Sequence, residues 1–225
     1  MNRFGWSARA AALMVLAWLA APVAAGETTG LLHPLFQDHA VLQRDRPITV
    51  WGQASPGQAV SATFAGQAVA TQADRAGRWQ AMFPAIAAGG PYTLEATAGT
   101  RRETARDLLV GDVWLCAGQS NMELPVWRSL NAASEIASAT LPRIRLFSVP
   151  KDAAVQAQES FKGDPGWTRA TPDSVRGFSA ACFYFARELQ RTVTVPMGLI
   201  QAAWGGSRIE AWTSTCLLYT SPSPR

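Results

Sequence analysis

Hydrophobic and polar residues alternate in short runs over residues 31–107. Val60, Ala62 and Phe64 are set against Ser61 and Thr63, Trp79, Ala81 and Phe83 against Gln80 and Met82, and Tyr92, Leu94 and Ala96 against Thr93, Glu95 and Thr97. A period of two marks strands buried on one face. Between the runs lie Ser55-Pro56-Gly57, Asp74-Arg75-Ala76-Gly77 and Gly89-Gly90-Pro91, each a turn signal carrying a permissive glycine or a φ-fixing proline. Strands at this spacing predict a small antiparallel β-sandwich over 26–107.

The period changes after Leu108. An apolar run over 108–117 reads as a buried strand that delivers Ser120 to a tight turn, and a polar helical stretch is expected over 128–139. A strand over 144–149 follows, then a helix capped by Ser179 that turns Cys182, Phe185 and Leu189 inward and Arg187, Glu188 and Arg191 outward. A third buried strand over 196–204 ends at Gly205-Gly206-Ser207. Strands alternating with helices predict a parallel sheet over 108–215, whose function gathers at the carboxyl ends of its strands, where both Ser120 and Gly205 fall. The last ten residues, 216–225, lose the helical pattern begun by Arg208 to Trp212 and end in a proline-broken tail, read as a truncation or read-through.

The first 25 residues carry Arg3 and Arg9, an apolar stretch of twelve residues and a small-residue run before Gly26. This reads as a secretory signal peptide cut after Ala25, because so short a stretch falls below the roughly 20 residues that span a bilayer. A secreted or periplasmic protein without stable membrane insertion after cleavage is expected. Without that segment the formal net charge of +4 falls to +2, too little to argue for nucleic acid. Cys116, Cys182 and Cys216 show no paired spacing, so neither a disulfide framework nor a zinc site is indicated. Cys116 and Cys182 read first as small buried apolar residues, with one disulfide open to a chain in an oxidising compartment.

A serine at a strand-to-helix turn stands clear of the sheet, and its backbone N–H sits where an oxyanion can be held. Gly205, ending a neighbouring strand, offers a second N–H with no side chain in the way. A hydroxyl attacks only when a base takes its proton, and no histidine follows Ser120; His33 and His39 both lie far upstream, where packing roles are expected. Gly118-Gln119-Ser120-Asn121-Met122 departs from the nucleophile elbow of α/β-hydrolases, since Met122 stands at the second glycine. Taken alone, the pentapeptide leaves Ser120 equally a nucleophile or an ordinary turn serine. Glu123, Arg208 and Glu210 either shape the pocket or hold the two loops. Trp127, Trp204 and Trp212 read as core first and sugar platform second.

Four segments taken in order carry a resemblance: residues 35–44 (LFQDHAVLQR), 50–52 (VWG), 110–123 (VGDVWLCAGQSNME) and 204–212 (WGGSRIEAW). They resemble bacterial sialate O-acetylesterases of the SGNH hydrolase superfamily, over about residues 31–214. The resemblance implies an α/β chain: an N-terminal antiparallel β-sandwich followed by an incomplete flavodoxin-like SGNH α/β/α hydrolase domain. It implies Ser120 as nucleophile and backbone oxyanion donor, Gly205 as second donor, and an acetylated sugar or glycan as substrate, with no cofactor and no metal. The family's third donor, an asparagine in a Gly-Glu-Ser-Asn type segment, and its Asp-x-x-His pair do not occur in these 225 residues, so the chain by itself is expected to be inactive. The rivals are a non-catalytic glycan-binding or scaffold protein and an acetyl-xylan esterase of the same superfamily.

Overall fold

The computed structural model describes residues 30–213. The expected signal peptide and the anomalous tail both lie outside the described residues.

The alternating half of the chain forms β1 (Val41–Gln43), β2 (Ile48–Gln53), β3 (Ala59–Phe64), β4 (Gln67–Gln72), β5 (Arg78–Phe83), β6 (Gly89–Ala98) and β7 (Arg101–Gly118). β4, β3, β6 and the first half of β7 pair antiparallel in that order, and β1 runs parallel to β7 at residues 109–111. β2 and β5 make a separate antiparallel ladder. The predicted inward faces meet: Val60, Ala62 and Phe64 of β3 and Trp79, Ala81 and Phe83 of β5 share one buried cluster with Val50, Leu94 and Ala96. Gly89-Gly90-Pro91 is not the turn expected; it opens β6, where the register with β7 shifts twice before Leu94.

β7 continues for 18 residues, so the boundary expected near 107 falls inside one strand that serves both halves of the chain. Its second half pairs parallel with β10 (Met197–Ala203), and β10 with β8 (Leu141–Ser148). β9 (Trp167–Ala170), which the hydrophobic pattern does not announce, closes this edge antiparallel to β8. The result is one eight-stranded mixed sheet ordered β4-β3-β6-β7-β10-β8-β9, with β1 on the side of β7. Among the parallel strands the last in sequence, β10, lies in the middle; a flavodoxin-like winding would have put β7 there.

The helices are few and short: α1 (Ser120–Glu123), α2 (Ala132–Ala137), α3 (Pro172–Arg176) and α4 (Ala180–Leu189). The polar helix expected over 128–139 shrinks to the six residues of α2. α4 begins where predicted, with Ser179 Oγ accepting from Cys182 N at 3.2 Å. Its buried stripe is Cys182, Phe183 and Ala186, which pack with Ile144, Leu146, Met197 and Leu199 of the sheet. Phe185, expected inward, is 44% exposed and sets its ring edge-on against Trp114. Arg187, expected outward, instead lies over the Tyr184 ring and pairs with Glu135 of α2. The opposite face of the sheet carries Phe147 and Ile200 into the core of the N-terminal strands. β7 is less buried than its apolar run suggests: Leu115 is 68% exposed.

Two long-range links fasten the fold, the first within the C-terminal half and the second around Asp107 on β7. Cys116 and Cys182, read first as separate apolar residues, form a disulfide between β7 and α4 across 66 positions of sequence. Asp107 gathers an imidazole and two guanidinium groups: its Oδ2 lies 2.7 Å from His39 Nδ1, 2.7 Å from Arg145 Nη1 and 2.8 Å from Arg169 Nη2. Burial pushes the Asp107 carboxyl upward, but hydrogen bonds from Arg145, Arg169 and His39 outweigh it and hold the group well below the usual carboxylate range. A carboxylate depressed in the folded state contributes stability above its unfolded value near pH 3.9, and that contribution is lost as pH falls below it. Arg145 is only 3% exposed, so Asp107→Asn leaves a buried guanidinium without its counter-charge. The variant is expected to lose about 3 kcal/mol in urea unfolding at pH 7, and the difference from wild type should shrink below about pH 4. A loss under about 0.5 kcal/mol would place Asp107 among ordinary surface pairs.

Candidate active site

β7 ends at Gly118, whose φ of 151° suits glycine, and a Cβ there would lie 3.3 Å from Met122 Cβ. The chain then turns into α1 with Ser120 at its first position; Glu123 N donates to Gln119 O and Leu124 N to Ser120 O. This single turn is too short to be stable alone and is fastened from outside. Ala180 N donates to Leu124 O at 2.8 Å, Val126 N to Phe178 O at 3.0 Å, and the buried Ser179 Oγ reaches Met122 Sδ at 3.6 Å. Gln201 of β10 accepts from Ser179 N, so the sheet, α4 and α1 are tied at one point.

Trp204 N donates to Gly118 O at 3.0 Å, which draws the end of β10 beside the end of β7. Ser120 and Gly205 therefore meet at the carboxyl ends of adjacent parallel strands. A Cβ built on Gly205 would sit 3.4 Å from Ser120 Oγ and 2.7 Å from Glu123 Oε2, so any larger residue would intrude between them. Ser120 is exposed, and its Oγ bonds no other described residue.

The N–H of Gly205 is already engaged: it donates to Glu123 Oε2, while Lys151 Nζ pairs with Glu123 Oε1. The Lys151 ammonium and the Gly205 N–H together hold the Glu123 carboxyl below its ordinary range, so it is ionised at neutral pH. Glu123 thus does what the second of its two sequence readings proposed and ties the Gly205 loop to α1. Arg208 and Glu210 are exposed on the segment beyond Gly205.

A cavity of about 450 Å³ opens over Ser120, with Glu123, Trp127, Arg128, Gln201 and Gly205 in its wall. A second, about 290 Å³, lies on the other side of the turn against Gln119, Ser207 and Trp212. The core reading of the tryptophans does not hold. Trp127 is 53% exposed, Trp204 38% and Trp212 42%, because the described residues cover this end of the sheet on few sides. Neither histidine joins the site. His39 pairs with Asp107, eleven residues before Gly118 on β7, or about 36 Å of strand at about 3.3 Å per residue. His33 spends both ring nitrogens on backbone, Nδ1 accepting from Leu35 N and Nε2 meeting Glu159 O. Among the described residues no cluster of three or more His, Cys, Asp or Glu side chains could hold a metal ion.

Residues 110–222, the stretch holding β7's second half, Ser120 and Gly205, match the carbohydrate esterase family described as sialic acid-specific acetylesterase. The chain belongs to this family. It is 33% identical to the sialate O-acetylesterase of Mus musculus, over 79% of this chain and 36% of that protein. Against the sialate O-acetylesterase of Homo sapiens it is 34% identical, over 77% of this chain and 37% of the relative. A crystal structure of a carbohydrate acetylesterase from Xanthomonas citri superposes with a TM-score of 0.80 at 42% identity, covering 84% of this chain and 44% of that one. The chain spans less than half the length of these relatives. Among the described residues of this esterase-family chain, no helix is long and apolar enough to cross a membrane.

Proposed function

We propose that the whole protein is an exported carbohydrate O-acetylesterase of the sialate O-acetylesterase type, and that these residues carry its nucleophile and two oxyanion donors. The observation that carries this reading is the meeting of an exposed, unbonded Ser120 Oγ with the backbone of Gly205 at the mouth of a cavity. Ser120 Oγ attacks the acetyl carbonyl carbon, and its proton passes to a histidine supplied outside these 225 residues. The developing oxyanion takes N–H bonds from Ser120 and Gly205. Collapse expels the sugar hydroxyl with that proton, and water then releases acetate and restores the serine.

For Gly205 to serve, Glu123 must surrender its N–H when ester enters; Lys151, already on the other carboxylate oxygen, keeps the released side chain ion-paired. The N-terminal strands form a β-sandwich beside an SGNH-type hydrolase domain, as the shared core of β3 and β5 supports. Export fits a chain with a buried disulfide, since such bonds persist in oxidising compartments. An acetylated sugar is the one partner required, and no cofactor or metal enters the chemistry.

Exposed Trp127 and Arg128 beside Ser120 fit a sugar ring bearing the ester. The test is acetate release by the whole protein from O-acetylated N-acetylneuraminic acid and from acetyl-xylan. Faster release from the sialic acid is expected. Release from xylan alone would move the protein to the xylan-esterase reading, and release from neither would overturn the esterase assignment.

A further inference from the structure

A cavity of about 780 Å³ lies against the β2–β5 ladder, and none of its wall belongs to the Ser120 site. Its volume is within the range of small-molecule sites. The alternation that buries Val50, Trp79 and Ala81 turns Trp51, Gln53, Arg78 and Gln80 outward, and the antiparallel register sets Trp51 opposite Gln80 and Gln53 opposite Arg78. Trp51 is 38% exposed and is held edge-on by Phe36, with ring centroids 4.6 Å apart at 86°, while the His33 ring lies 5.3 Å away. Its orientation is thus fixed before any ligand arrives. The Trp51 indole N–H and the side-chain amides of Gln53 and Gln80 bond no other described residue.

Charge narrows the ligand. Arg78 pairs with Asp74 at 3.0 Å and with Glu159 at 3.4 Å, so two carboxylates share one guanidinium and the groove carries a net −1. His33 adds nothing at neutral pH, because burial lowers its pKa and both ring nitrogens are bonded. An anion is repelled. A neutral polyol suits the wall: amides both donate and accept, carboxylates accept from hydroxyls, and an indole face stacks on the C–H face of a sugar ring.

We infer that this groove binds a neutral stretch of oligosaccharide, with Trp51 as its platform and Gln53, Gln80, Asp74 and Glu159 on its hydroxyls. The choice of a sugar over another neutral polar ligand rests on the esterase reading, and the role follows from it: a second hold on the glycan raises the effective concentration of its acetyl groups at Ser120.

The test is calorimetric titration of the whole protein with xylohexaose, using tetragalacturonic acid as the anionic control. Saturable xylohexaose binding is expected, about tenfold weaker in Trp51→Ala and weakened again in Gln80→Ala, with no binding of the acid. Gln80 is exposed and its loss leaves the core intact, so it reports even if Trp51→Ala unfolds. Trp127→Ala, in the wall of the Ser120 cavity and absent from this groove, should bind xylohexaose as wild type does, which separates the two sites. No saturable binding, binding untouched by Gln80→Ala, or equal binding of the acid would each overturn the inference. Binding in a protein whose whole form releases no acetate would remove the esterase reading and leave the groove standing.

Discussion

Ser120→Ala in the whole protein is expected to cut kcat for acetate release about 10⁶-fold, the loss seen when a serine hydrolase is stripped of its nucleophile. Substrate binding should change little, since the hydroxyl carries reaction and not recognition. Folding should be unaffected as well: Ser120 is exposed, its Oγ bonds no other described residue, and the turn of α1 is fastened through backbone groups of Leu124 and Val126. Thermal unfolding of the variant should therefore match wild type while labelling by a fluorophosphonate disappears. Gly205→Ala makes an instructive companion, because its Cβ would press on both Glu123 Oε2 and Ser120 Oγ. One spoiled donor costs about 10²-fold to 10³-fold, so the glycine variant should fall between wild type and Ser120→Ala. A Ser120→Ala enzyme that keeps a tenth of its activity would remove the serine from the mechanism.

The largest stability effect is expected at the Cys116–Cys182 bridge. Closing 66 positions of sequence limits the unfolded chain enough to contribute about 4 kcal/mol in the chain-entropy account. For a chain of this size Cys116→Ala should lower Tm by about 10 °C. Cys182→Ala should do the same, and the double variant no worse, because both remove one bond. Reductant added to wild type should reproduce the shift and leave the alanine variants unmoved. The effect should reach the site, since Cys182 stands in the first turn of α4, whose start holds α1 in place. Tm shifts under about 2 °C in all three comparisons would show that the bridge adds little to the fold.

Legibility in the sequence followed the range of the interaction. The period-two runs around Val60, Trp79 and Leu94 placed β3, β5 and β6, because alternation is local and one buried face enforces it. Ser179 announced α4 for the same reason: a cap acts over three residues. The inward stripe of that helix holds at Cys182 and Leu189 and fails at Phe185, which meets Trp114, while Arg187 finds Glu135 and the Tyr184 ring only once α2 is in place. β9 was missed because a four-residue strand leaves almost no period to read. The exposed tryptophans were misplaced because an indole's burial depends on what covers the sheet.

The sequence by itself determined the alternating strands, the strand that delivers Ser120, the end of β10 just before Gly205 and, through four ordered motifs, the esterase family. These are short-range patterns or shared motifs, legible without coordinates. Tertiary structure alone decided the strand order with β10 between β7 and β8, the cysteine pairing, the cluster of His39, Arg145 and Arg169 on Asp107 and the capture of Gly205 N–H by Glu123. Each joins residues distant in sequence, Asp107 and Arg145 by 38 positions and Glu123 and Gly205 by 82. No local propensity encodes which distant partner will arrive, and only the packed chain can say.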